Sequence, residues 1–201
     1  MPEARPARRG PEAQEAWEFD EALRVAARRG DWRVFTAETS AVPRLAERLA
    51  ERLETRARSL DAALLAEVDA LVVERKINPA VVTSADAAGP GGKDWDRLRK
   101  LVLSAAERVE QRWSTERAPL VLSDLGLAAR FDLSKLLQSL LDATRRDDGP
   151  AVFLVVPRFG EGAAAAIDGG ALPPLPVPTY SPAQRVEVPR SWIENRHRAE
   201  G

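Results

Sequence analysis

Two short, uninterrupted apolar runs constrain this chain more than any other feature. Leu120-Val121-Leu122 and Ala151-Val-Phe-Leu-Val-Val156 are separated by an amphipathic stretch of helical period. Neither run alternates apolar with polar residues, which is the pattern of strands covered on both faces. Two such strands joined by a helix make a parallel pair with a right-handed crossover. The unit at 119–158 therefore predicts an α/β fold, a small mostly parallel sheet flanked by helices. Its first strand delivers Ser123 and Asp124 to the strand's carboxyl end, where open α/β sheets keep ligand and catalytic groups.

The remaining segments fit around that unit. Residues 1–15, with prolines, arginines and no apolar periodicity, read as a disordered tail, and 16–201 as a single α/β domain. Trp32-Arg-Val-Phe-Thr-Ala37 reads as the first strand, with Thr39 and Ser40 as candidate helix caps and Pro43 in the first helical turn. Helices follow from Val42 and over 60–73. Pro79, Pro90 and a glycine cluster break the segment 76–93 into a short helix and a loop. A longer helix after Asp94, its cap, carries the stripe Leu98, Leu101, Val102, Ala105, Val109 and Trp113. Asp132 reads as the cap of a helix over 133–144, and Gly149-Pro150 as its stop signal. The prolines of 172–178 cannot donate ladder hydrogen bonds, so any strand there is short or at an edge. A short helix from Pro189 to about residue 197 closes the chain.

Composition excludes several kinds of chemistry. With 30 basic and 31 acidic residues, the net charge of −1 supplies no global field for nucleic acid or anionic membrane. There is no cysteine, hence no thiolate nucleophile or Cys-based zinc site, and His197 is the one histidine. No apolar run approaches the roughly 20 residues that span a bilayer, and a cytoplasmic location is the expectation. A serine hydrolase needs a histidine base and an orienting acid, and no Gly-x-Ser-x-Gly elbow occurs.

A phosphate loop needs a glycine-rich turn of N–H donors, a lysine and a Ser or Thr for magnesium. The nearest candidate, Ala87-Ala-Gly-Pro-Gly-Gly92-Lys93-Asp94, has alanine at the first glycine position and an aspartate where the magnesium hydroxyl belongs. The turn after the first strand, Glu38-Thr-Ser-Ala-Val-Pro43, has neither glycine nor lysine. The layout is thus P-loop-like but degenerate. Asp124 can stand as the acidic residue of a magnesium site, with Lys93 and Arg130 on phosphates; the plainer reading makes Ser123 or Asp124 a cap for the following turn, where Gly126 permits an unusual backbone angle. Asp94-Trp-Asp96 and Glu74-Arg-Lys76 have nuclease-like spacings, but the first opens a helix, where aspartates complement the dipole, and the second lies at a helix end with no matching upstream Pro-Asp. Among five tryptophans, Trp192, beside Arg190 and Arg196, is the one placed to meet a partner, or else to lock the terminus on to the core.

Several stretches in order resemble the C-terminal α/β module of proteins from Pgl/BREX-type bacterial phage-defence systems. They are Ser84-Ala-Asp-Ala-Ala-Gly-Pro-Gly-Gly-Lys-Asp-Trp95 and Leu120-Val-Leu-Ser-Asp-Leu-Gly-Leu-Ala-Ala-Arg-Phe131, then Val155-Val-Pro157 and Ile167-Asp-Gly-Gly170. Val177-Pro178, Ser181-Pro-Ala-Gln184 and Ser191-Trp-Ile-Glu-Asn-Arg-His-Arg198 complete the series, which covers 32–198. The resemblance implies an appendage to large kinase or ATPase components, acting by interaction or regulation.

The residues and the resemblance together give a non-catalytic interaction or regulatory module of an antiviral defence system, with no complete catalytic constellation and no cofactor. Its partners would be larger kinase, ATPase or methyltransferase components, reached through Trp192, Arg196 and Arg198, with at most an indirect association with DNA and none with membrane. The alternative is a cryptic nucleotide-binding or ATP-hydrolysing domain that holds Mg/ATP through Asp124.

Overall fold

The computed structural model of the chain describes residues 10–158, 166–169 and 172–194. Helix α1 (Pro11–Arg29) starts with proline in its first turn, where the missing N–H has no helical partner to lose, and stops at Gly30, whose φ of 71° suits a left-handed cap. It starts inside the segment that composition assigns to a tail. Ala13 and Ala16 are buried on it, and tertiary packing of this kind supplies most of a helix's stability.

Strand β1 (Trp32–Ala37) lies where the sequence puts it, followed by a 3-10 turn at Thr39–Ala41 and α2 (Val42–Arg52). Then come β2 (Ala57–Ser59), α3 (Leu60–Glu74), α4 (Pro79–Ala88) and α5 (Lys93–Trp113). β3 (Leu120–Ser123), the short α6 (Gly126–Arg130), α7 (Ser134–Ala143) and β4 (Val152–Pro157) complete the unit foreseen at 119–158. β5 (Ala166–Gly169) and β6 (Leu172–Pro176) form a separate antiparallel pair, and β7 (Arg185–Glu187) and α8 (Arg190–Ile193) end the described chain. Among the described residues no helix is long and apolar enough to cross a membrane.

The main sheet has five strands in the order β2-β3-β4-β1-β7, and every pair in it is parallel. β4 sits at its centre, with Trp32 opposite Val152 on one side and Leu120 opposite Val152 on the other. Travel from β1 to β2 runs one way along the sheet with α2 on one face. The later steps from β2 to β3, to β4 and to β7 run the other way, with α3 to α7 on the opposite face. Direction and face reverse together, as a single hand of crossover requires.

Strand alternation sorts the side chains into two cores. Trp32, Val34, Leu120, Leu122, Val152 and Leu154 point to the layer of α3, α5 and α7, whereas Phe35, Val121, Phe153 and Val155 point to α1, α2 and α8. In the second core Phe19 meets Phe35 edge-on at 5.7 Å and Trp192 at 4.9 Å. Trp192 is 1% exposed. Of the two roles weighed for it, the structure shows the lock on the core.

Helix capping departs from the sequence expectations at several positions. α5 starts two residues early, with Gly92 at the cap position, so Asp94 lies within the first turn and pairs with Arg97 at 3.0 Å. Asp132 does not cap α7; it takes a left-handed φ of 51° and lies 3.8 Å from Arg99. Thr39 and Ser40 form the 3-10 turn, and neither side chain caps α2. α7 ends earlier than Gly149, at Ala143 with Thr144 in the cap position; Gly149 closes the turn that follows, where a Cβ would stand 2.0 Å from the Ala143 carbonyl.

The two terminal helices are clasped by one buried carboxylate. Asp20 on α1 is 2% exposed and is held by both the Nε and an Nη of Arg52 on α2, by Arg24 at 3.1 Å and by the Trp192 indole N–H at 3.2 Å. Arg48 of α2 lies over the Trp192 ring at 5.8 Å. Asp20→Ala leaves the Arg52 guanidinium and the indole N–H without their acceptor, and removal of one partner from a buried pair is expected to destabilise by about 3 kcal/mol. Urea denaturation measures it, and a loss below about 1 kcal/mol would show the clasp to be solvated.

Candidate functional site

The carboxyl ends of β1, β3 and β4 meet in a crevice of about 340 Å³, lined among others by Thr39, Pro43, Asp124, Val155, Pro157 and Ile167. Open α/β sheets bind ligands in this position. Its walls are mainly apolar, and among the described residues of its lining Asp124 is the one that carries a charge.

What surrounds Asp124 follows from how the chain leaves β3. Asp124 is exposed and has a φ of 51°, a conformation that aspartate tolerates better than most side chains. Its carbonyl accepts from the Asp61 N–H at 2.9 Å. The Ser123 hydroxyl approaches its carboxylate at 3.4 Å. The cap of α6 comes from elsewhere in the chain: the Asp61 carboxylate, on α3, accepts from the Gly126 N–H at 3.1 Å and the Leu127 N–H at 2.8 Å. The turn therefore differs from the sequence reading in two ways. Neither Ser123 nor Asp124 supplies the cap, and the unusual backbone angle belongs to Asp124, whereas Gly126 is small because a Cβ there would come within 3.2 Å of the Asp61 carboxylate.

The turn after β1 forms the other wall. The Ala41 N–H donates to the Glu38 carbonyl at 2.8 Å and the Val42 N–H to the Thr39 carbonyl, while Pro43 has none to give. Two donors that a phosphate cradle could aim at a ligand, the Ala41 and Val42 N–H groups, are committed to the turn itself.

The proposed phosphate ligands are not gathered here. Lys93 opens α5 and is absent from the crevice lining. Arg130 is bound to Asp86 through its carboxylate at 2.9 Å and its carbonyl at 3.1 Å, and lies over the Trp95 ring at 5.3 Å. It lines a second cleft of about 420 Å³ with Trp95 and Phe131, whose rings stack at 5.0 Å. Arg196 and Arg198, like His197, lie outside the described residues. Among the described residues, no three His, Cys, Asp or Glu side chains gather to hold a metal ion. Glu74, from the nuclease-like spacing, is paired with Arg108 at 2.6 Å, which lowers its pKa.

A feature that the sequence reading missed is a larger cleft of about 690 Å³ over the ends of β1 and β7. Arg44, Arg158 and Arg190 line it together with Glu15, Glu38, Glu187 and Glu194. Arg158 pairs with Glu187 at 2.7 Å and Arg190 with Glu194 at 2.7 Å. Distant segments contribute these charges, so no spacing in the sequence announces them.

Comparison with known proteins gives one distant relationship. Over 126 residues the chain is 29% identical to the probable kinase PglW of Streptomyces coelicolor, a stretch that makes up 58% of this chain and 8% of that relative. The chain thus corresponds to a small fraction of the length of the curated relative it matches. The similarity is consistent with the Pgl-type resemblance of the sequence, at a distance. No family model matches the chain, and no solved structure does.

Asp61 carries a testable electrostatic signature. Burial raises its pKa above the ordinary carboxylate value and the Asp124 carboxylate adds to this, against the pull of the Leu127 and Gly126 N–H groups. Between the unfolded value of about 4 and the higher folded value, the native state holds a proton that the unfolded chain has released. The stabilising contribution of this group is therefore complete below the unfolded pKa and is lost as pH rises through the folded one. In urea denaturation from about pH 3.5 to about pH 7, the stability of Asp61→Asn relative to wild type should rise with pH, and a constant difference would mean that Asp61 ionises normally.

Proposed function

We propose that the chain is a non-catalytic interaction or regulatory module of a Pgl/BREX-type bacterial phage-defence system, built on a degenerate P-loop-like sheet. The observation that carries this reading is the turn after β1: its Ala41 and Val42 N–H groups close on Glu38 and Thr39, it has no lysine, and the charged residue in the described lining of the crevice beside it is Asp124. A site of that sign repels phosphate. The similarity to PglW supports the defence context, and the small share of PglW that is matched fits a module serving a larger protein. Kinase, ATPase or methyltransferase components are the partners that this role calls for.

A second reading keeps the same crevice as a cryptic nucleotide site. It is favoured by Asp124, an exposed carboxylate that lines the crevice together with Thr39 and is free to meet a magnesium ion. Arg130, tied to Asp86, and Lys93, outside the lining, weaken it.

Calorimetric titration of the full chain with ATP and GTP, with and without magnesium, decides between the two. No binding heat is the expected result. Tight, magnesium-dependent ATP binding that disappears in Asp124→Ala would overturn the interaction reading in favour of the nucleotide site.

A further inference from the structure

Helix α3 is apolar almost all the way round. Leu60, Leu64, Val68, Leu71 and Val72 are buried in the core beneath it. Its opposite side shows Ala62, Leu65, Ala66, Ala70 and Val73 to solvent, with Asp69 among them. At roughly 100° per residue these six positions fall in one arc, directly opposite the core stripe. Leu65 is 52% exposed and Val73 78%. A helix apolar on every side is normally covered on every side, and no described element of this chain covers this one.

Shape and charge specify the occupant. Ala62, Ala66 and Ala70 recur every fourth residue and form a shallow groove beside Leu65 and Val73, about 18 Å long, which admits a second helix at close range. Asp69 stands in the middle of this face with no ion pair or hydrogen bond among the described residues. Glu67 and Glu74, on the flank, are already matched by Arg108 and Arg112 of α5. A second copy packed antiparallel would bring two Asp69 carboxylates within about one turn of each other with no cation of α3 on that face, a repulsive arrangement. Neither undescribed end of the chain fits the groove, since 1–9 and 195–201 lack apolar residues at helical spacing.

We propose that the outward face of α3 docks a helix of another protein, one whose apolar ridge carries a lysine or arginine opposite Asp69. This rests on the interaction role proposed above and locates its surface. The test incorporates a photo-crosslinking benzophenone amino acid into the full chain, in place of Val73 or, as a control on another helix, of Lys135, in cells of the source organism, and identifies the crosslinked peptide by mass spectrometry. The expected product joins position 73 to an amphipathic segment with a basic residue. Its yield falls about tenfold in Asp69→Lys, the loss of one charged contact, and returns when the partner's basic residue is changed to aspartate. Crosslinks to a second copy of the chain, to a segment with no basic residue, at equal yield from position 135, or unaffected by Asp69→Lys would each overturn the proposal. Absence of any crosslink would do so as well. Crosslinking from position 135 alone leaves the interaction role standing while this face fails, and the nucleotide titration tests that role separately.

Discussion

The parallel pairing of β1 with β4 is the constraint on which the rest of the structure depends. It joins the start of the domain to its last third, in a register that runs from Trp32 opposite Val152 to Ala37 opposite Pro157. Both strands are covered on both faces, so their alternate side chains must divide between two cores, and a slip of one residue would exchange the two sets. The α1–α2–α8 layer and the α3–α5–α7 layer are the covers that this pair demands. The Asp20 clasp then closes the first layer over Phe19 and Trp192, where the apolar contacts alone would leave two helix ends free to separate.

The same pairing also sets the position that open α/β sheets use for their ligands. The crevice lies where the sheet puts it, at the carboxyl ends of β1, β3 and β4. Its walls include a 3-10 turn whose Ala41 and Val42 N–H groups are used internally, and a β3 exit whose carbonyl and helix cap are both satisfied by Asp61. α3 links this crevice to the outward apolar face, since Asp61 in its first turn braces α6 while Leu65 and Val73 face solvent.

Legibility followed the depth of burial. Strands 32–37 and 120–123, the α5 stripe and the α3 core positions could be read because burial imposes an apolar pattern that no local interaction blurs. β2 and β7 could not: each is a three-residue edge strand, Ala57-Arg58-Ser59 and Arg185-Val186-Glu187, paired on one side and too polar and short to register. The helix caps were misassigned at Asp94, Asp132 and Ser123/Asp124 because capping propensity describes neighbours in sequence. Here Asp61, far away in the chain, takes the α6 N–H groups.

The sequence by itself determined the α/β class, the buried strands, the core faces of the long helices and the lack of a phosphate-loop motif, because each depends on residue type at a fixed local spacing. Only the tertiary structure decided the strand order, the burial of Trp192 and the separation of Arg130 from Asp124. It also decided which apolar face of α3 is left outward. Those outcomes depend on which distant segments meet, and an arginine or tryptophan has the same identity in the sequence whether the fold ties it to an aspartate across the core or leaves it in water.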